Sequence, residues 1–229
     1  MKRILFLSIS LTALFSNFAK AQVLSAQQTV NDIANNERRF ADKNAVDKTA
    51  GSKYFNETFL PARIAGSNEI ILVRHNAYTD DMEVNVNNDI KIVPAEPNMM
   101  INMTNSSTSY EYATYTNEKG VKKEGYLKLI SNNPKLKIYK SEVVYLKPEV
   151  HPSSGYDTYK PAAYTKSKDE YFIRLGESEI KPLSLKKKAI VSIVPEKEKE
   201  ITSFIKENKI SFSEDTDLNQ LGKFLNSLM

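Results

Sequence analysis

Between Tyr54 and Pro182, apolar residues recur at every second position in short runs, and the runs are separated by turns only a few residues long. This pattern constrains the fold most. Successive side chains of a strand point to opposite faces, and connections this short lead to an antiparallel neighbour rather than to a parallel one. Met82, Val84 and Val86 face one way while Glu83, Asn85 and Asn87 face the other, as in a sheet with one buried and one wet face. Ile70–Arg74, Met82–Val86 and Ile90–Val93 therefore read as a three-strand meander, ended by Pro94 and Pro97, which cannot donate to a ladder. Ser109–Thr116, Val121–Ile130 and Leu136–Leu146 form a second antiparallel group. Pro148–Lys168, punctuated by Pro148, Pro152, Gly155 and Pro161, reads as a long loop, and Tyr171–Leu175 with Ser178–Ile180 as a last hairpin.

After Pro182 the period switches from two to that of a helix. Ser184 precedes an apolar stripe over Leu185–Ile193, Pro195 suits the first turn of a second helix ending at Asn208, and Ser213 with Glu214, Asp215 and Asp217 opens a third. The expected fold is α+β: an antiparallel β-meander, sandwich-like or half-barrel-like, followed by about three short C-terminal helices packed on it. The expected divisions are 1–21, a signal peptide; 22–50, a marginal helix or mobile arm; 51–182, the β body; and 183–229, the helical tail.

The first division rests on Met1-Lys2-Arg3, the apolar run Ile4–Phe18 and Ala19-Lys20-Ala21, the charged, apolar and small-residue succession of an export signal. Cleavage near Ala21 gives a periplasmic or secreted protein with no expected membrane-spanning segment. It also removes three of the 32 basic residues and no acid, leaving 29 bases against 28 acids. A chain so nearly neutral lacks the basic footprint through which proteins neutralise phosphates, so nucleic acid is not an expected partner. With no cysteine in the chain, disulfides, thiolate metal sites and cysteine nucleophiles are excluded.

The densest polar cluster surrounds one hairpin, Arg74 to Glu83. His75 with Asp80, Asp81 or Glu83 is the candidate catalytic set, since hydrolysis needs a group titrating near neutrality and a carboxylate to orient it. The plainer alternative is a solvated turn, because Asp is a favoured turn residue and Glu83 lies on the polar face of its strand. His75 and His151 are distant in sequence and form no ligand spacing for a metal, so no metal or cofactor is expected. Tyrosine is unusually frequent, with twelve in the chain and ten of them from Tyr110 to Tyr171. Strand tyrosines are ordinary; Tyr156, Tyr159 and Tyr164 fall in the expected loop and are the candidate partner-binding residues.

In the Gly51–Phe59 stretch, the Arg74–Glu83 hairpin, Gly125-Tyr126-Leu127 and the helix start at Leu183–Val194, the chain resembles exported proteins of unknown function from Bacteroidota, flavobacteria especially. The resemblance covers most of the mature chain and implies a sheet body with a helical tail, without implying an activity. The expected function is a non-enzymatic envelope or secreted module that binds a protein or envelope component through an aromatic sheet face and the Pro148–Lys168 loop. The alternatives are a carrier of a lipid or other apolar envelope ligand, and a hydrolase built on His75.

Overall fold

A computed structural model describes residues 49–152 and 158–229. The expected signal peptide, almost all of the 22–50 arm and Tyr156 lie outside these residues. The strands are β1 (Leu60–Ile64), β2 (Ile71–Asn76), β3 (Asp81–Val86), β4 (Asp89–Ile92), β5 (Met100–Met103), β6 (Ser109–Thr116), β7 (Lys122–Asn132), β8 (Leu136–Ser141), β9 (Val144–Lys147), β10 (Ala163–Lys166), β11 (Glu170–Leu175) and β12 (Lys181–Pro182). Ten form one sheet in the order β12-β11-β8-β7-β6-β5-β1-β2-β3-β4, and β9 with β10 forms a separate ribbon. Every ladder between these strands is antiparallel. Helices α1 (Lys187–Val191), α2 (Glu198–Glu207) and α3 (Asp215–Leu228) follow, with a short 3-10 turn at Pro195–Lys197. The chain is thus α+β, a curled antiparallel half-barrel with a few C-terminal helices. Among the described residues no helix is long and apolar enough to cross a membrane.

The order departs from a plain meander because β1 and β5, which the alternation did not reveal, lie side by side in the middle. Pro61 masks β1. Within an extended residue the N–H and C=O point to the same side, and the Pro61 carbonyl accepts from the Thr104 N–H (2.8 Å), just past the end of β5. The donor that proline lacks would point to the same place, so the ladder loses little. The expected strand Leu136–Leu146 is also two strands. The chain leaves the main sheet after Ser141, and Val144 donates to the Ala77 carbonyl (2.8 Å) as β9 begins. Part of the expected loop is β10, which pairs with β9 in the register Tyr164↔Leu146.

Side-chain alternation sorts the sheet into two faces with three apolar clusters. On one face, Ala113, Tyr115, Leu127, Leu129, Tyr139 and Phe172 pack together with Ile180. Ile180 returns to β6 through a parallel bridge to Tyr115, so β6, β7, β8, β11 and this segment form a ring around the cluster. On the opposite face, Ala62, Val73, Met82, Val84, Ile101 and Tyr126 fill the curl of β1 to β7. The third cluster joins Ile130 and Ile138 to the helices through Ile190, Ile201, Leu218, Leu221 and Leu225. Each of those three α3 leucines is wholly buried, and each stabilises the packed tail by about 1.5–3 kcal/mol.

Along β7, Tyr126 belongs to the cluster under the curl and Ile130 to the cluster under the helices. Lys128 sits between them on the same face, opposite Lys140 of β8. A polar seam therefore separates two apolar cores, and it is the seam that organises the candidate site.

Candidate functional site

The β2–β3 hairpin splits the sequence candidates between the two faces of the sheet. His75 lies opposite Met82 and points to the cored face, whereas Arg74 lies opposite Glu83 on the other. Glu83 is accordingly engaged away from His75. It accepts from Arg74 Nε (2.8 Å), from Asn76 Nδ2 (2.8 Å) and from the Tyr54 hydroxyl (3.1 Å). The Arg74 guanidinium lies over the Tyr54 ring at 3.9 Å and the Phe59 ring at 4.3 Å. Burial, with Glu83 beside it, pushes the Tyr54 hydroxyl up to about 12. The group reads as a strap holding the chain before β1 onto the hairpin.

His75 keeps one of its three expected acids. The Asp80 Oδ1 lies 2.8 Å from Nε2. Asp80 reaches it from a left-handed backbone conformation (φ 57°), a region that aspartate enters more readily than most residues. The same carboxylate accepts from the Tyr126 N–H at 3.2 Å. It fits there because residue 125 is glycine: a Cβ at Gly125 would collide with the Asp80 carboxylate. Asp81 lines a different cleft of about 470 Å³, together with Asp80, Glu124, Tyr112 and Tyr126.

The carboxylate that joins Asp80 at the imidazole is Glu142, which sequence reasoning missed. It is buried, accepts from the Tyr110 hydroxyl (2.7 Å), and stands 3.9 Å from His75 Nδ1 and 3.5 Å from Lys128 Nζ. At 3.9 Å its pull on the ring is mainly electrostatic, so the direct bond belongs to Asp80. The rings of Tyr110 and Tyr126 flank His75 at 5.3 Å and 5.9 Å. Burial alone would lower the His75 pKa, but the Asp80 hydrogen bond and the Glu142 carboxylate outweigh it and raise it to about 8. Burial in turn raises the Glu142 carboxyl, and His75, Lys128 and Tyr110 more than reverse that, leaving it lowered.

On the helix side, Asp215 at the start of α3 bridges Lys128 (3.0 Å) and Lys140 (3.6 Å), and Lys140 also pairs with Asp169 (2.7 Å). The one signal of this seam in the sequence is a polar residue in an apolar register. Lys128 interrupts Tyr126 and Ile130, and Lys140 and Glu142 follow Leu136 and Ile138.

The tyrosine candidates are dispersed. Tyr159 is exposed, donates to Glu149 Oε2 (2.9 Å) and lies beside the His151 ring at 5.4 Å. Tyr164 is half-buried on β10 against Tyr78, with ring centroids 5.1 Å apart. His151 pairs with Glu149 at the surface (3.3 Å), apart from His75. Among the described residues no group of three or more His, Asp or Glu side chains is arranged to hold a metal ion. Comparison with protein-family models, with curated proteins and with solved structures finds no match.

Proposed function

We propose that the protein is an exported, non-enzymatic module that binds an envelope or secreted protein through the β9–β10 ribbon. The observation carrying this reading is the exposure of Val143, Tyr145, Leu146, Val150 and Tyr159 on and beside a ribbon that pairs with none of the ten main strands. The ribbon is only partly covered, with Val144 buried and Tyr164 resting on Tyr78. Tyr145 and Leu146, pointing to opposite faces, both remain about half exposed. Aliphatic and aromatic side chains left in water are the residue types of an interface core, since aromatic rings contribute large apolar area with a polar tip. Tyr159 and Tyr164 belong to this surface or its support, which keeps two of the three tyrosine candidates in the reading.

The two alternatives have less support. An apolar cargo would need room between sheet and helices, and that space is packed with Ile130, Ile138, Ile190, Leu218 and Leu221. A general base must be unprotonated to accept a proton, whereas His75 between its two carboxylates is mostly protonated at pH 7.

The test is native mass spectrometry of the protein recovered from the envelope fraction or medium of its own host, compared with a Tyr145→Ser, Leu146→Ser, Tyr159→Ser variant. A protein partner retained by the first and lost by the second, at an unchanged unfolding midpoint, is the expected result. Retention of the same partner by the variant would remove the ribbon as the binding surface.

A further inference from the structure

The strand register pairs side chains on the cored face at two places. Val73 on β2 faces Leu60 on β1, and elsewhere on the sheet Tyr110 on β6 faces Lys128 on β7, which faces Lys140 on β8. A cleft of about 340 Å³ is lined by both groups. Leu60, Val73 and Met103 line it on the side of β1, β2 and β5, and Lys128 and Lys140 on the side of β7 and β8. Its volume lies at the low end of small-molecule sites.

The basic end of the cleft is built at a cost. Like charges directly opposed on neighbouring strands repel, and the Lys128 and Lys140 side chains are only 23% and 13% exposed. Asp215 bridges the two ammonium groups, while Glu142 and Asp169 each hold one of them. An ammonium carries three N–H donors. With two carboxylate partners among the described residues, Lys128 keeps a donor for a further acceptor, while Lys140, which also meets Tyr171, adds its positive charge beside it. The partial positive charge at the N-terminus of α3, which begins at Asp215, adds to the same region. Among the described residues Glu142 is the one carboxylate in the cleft wall, and Tyr110, Lys128 and His75 already surround it.

We propose that this cleft binds a small amphiphilic carboxylate, with its carboxylate on the Lys128–Lys140 pair and its short apolar chain along Leu60, Val73 and Met103. The site is separate from the β9–β10 ribbon, and the two proposals stand or fall independently. The ion pairs hold both lysines in place before the ligand arrives, so little side-chain entropy is lost on binding.

Isothermal titration of the purified protein with octanoate tests it. Octanoate is expected to saturate a single site. Octylamine, with the same chain and opposite charge, and acetate, with the same charge and no chain, are each expected to bind at least tenfold more weakly. Lys128→Met is expected to weaken octanoate at least tenfold. Because that variant also leaves Asp215 and Glu142 short of a partner, Thr108→Trp at the cleft wall provides a second arm. It fills the cleft without removing an ion pair, and is expected to abolish binding at an unchanged unfolding midpoint. Comparable affinity for octanoate and octylamine, full octanoate binding by the Thr108→Trp protein, or no saturation at millimolar octanoate would each overturn the proposal.

Discussion

His75 shows how far one residue's environment reverses its intrinsic chemistry. A buried imidazole would ordinarily be neutral, yet Asp80 and Glu142 hold this one protonated, with its pKa raised to about 8. The groups facing it are Asp80 from the β2–β3 turn, Glu142 after β8, and the hydroxyl-bearing rings Tyr110 and Tyr126 from β6 and β7. A folded-state pKa above the unfolded value of 6.5 means that the stabilisation is complete below pH 6.5 and is lost as pH rises through 8. The shift corresponds to about 2 kcal/mol. Urea unfolding at pH 6 and pH 9 should therefore give a lower midpoint at the higher pH, and a His75→Gln protein should lose most of that difference. Gly125→Ala should act on the same pair from a distance. Its new Cβ displaces the Asp80 carboxylate, so the His75 pKa, followed by NMR titration, should fall along with the unfolding midpoint.

At the scale of elements, α3 docks on β7 and β8 closely enough that its interior contains a glycine. Gly222 is buried, and a Cβ there would strike the Ser131 side chain on β7. Helix propensity favours alanine over glycine by about 1 kcal/mol. Overpacking against a buried neighbour costs about 1–3 kcal/mol, so Gly222→Ala should lower the thermal midpoint although it improves the isolated helix. The helices were readable as elements because their stripes recur at helical spacing over many residues, but their caps were not. Glu214 and Lys186 occupy the N-cap positions expected for Ser213 and Ser184, neither with a side-chain capping bond. Near α3, the Asp217 carboxylate instead accepts from the Ser211 N–H (2.8 Å). Among the strands, β2, β3, β6 and β7 announced themselves by alternation. β1 and β5 did not, since four or five residues containing a proline or closely following prolines carry too little periodic signal.

For the molecule as a whole, the tail is part of the core. Leu136 and Ile138 of β8 are almost wholly buried, and their cluster is completed by Ile190, Ile201, Leu218, Leu221 and Leu225. A chain ending after Leu183 would leave that face of the sheet in water while removing Asp215 from the two opposed lysines. Such a truncation is expected to be aggregation-prone and to lack a cooperative unfolding transition, as measured by circular dichroism during thermal denaturation. The alternation and short connections of the sequence by themselves determined an antiparallel body, and the change of period after Pro182 determined the helices, because both signals arise between residues close in the chain. The tertiary structure alone decided that β1 sits beside β5, that Ile180 closes back onto β6, and that Asp80, Glu142, Lys128 and Asp215 converge around His75 and the cleft. Those arrangements depend on register and curvature between segments far apart in sequence, where no local periodicity reports which residue will face which.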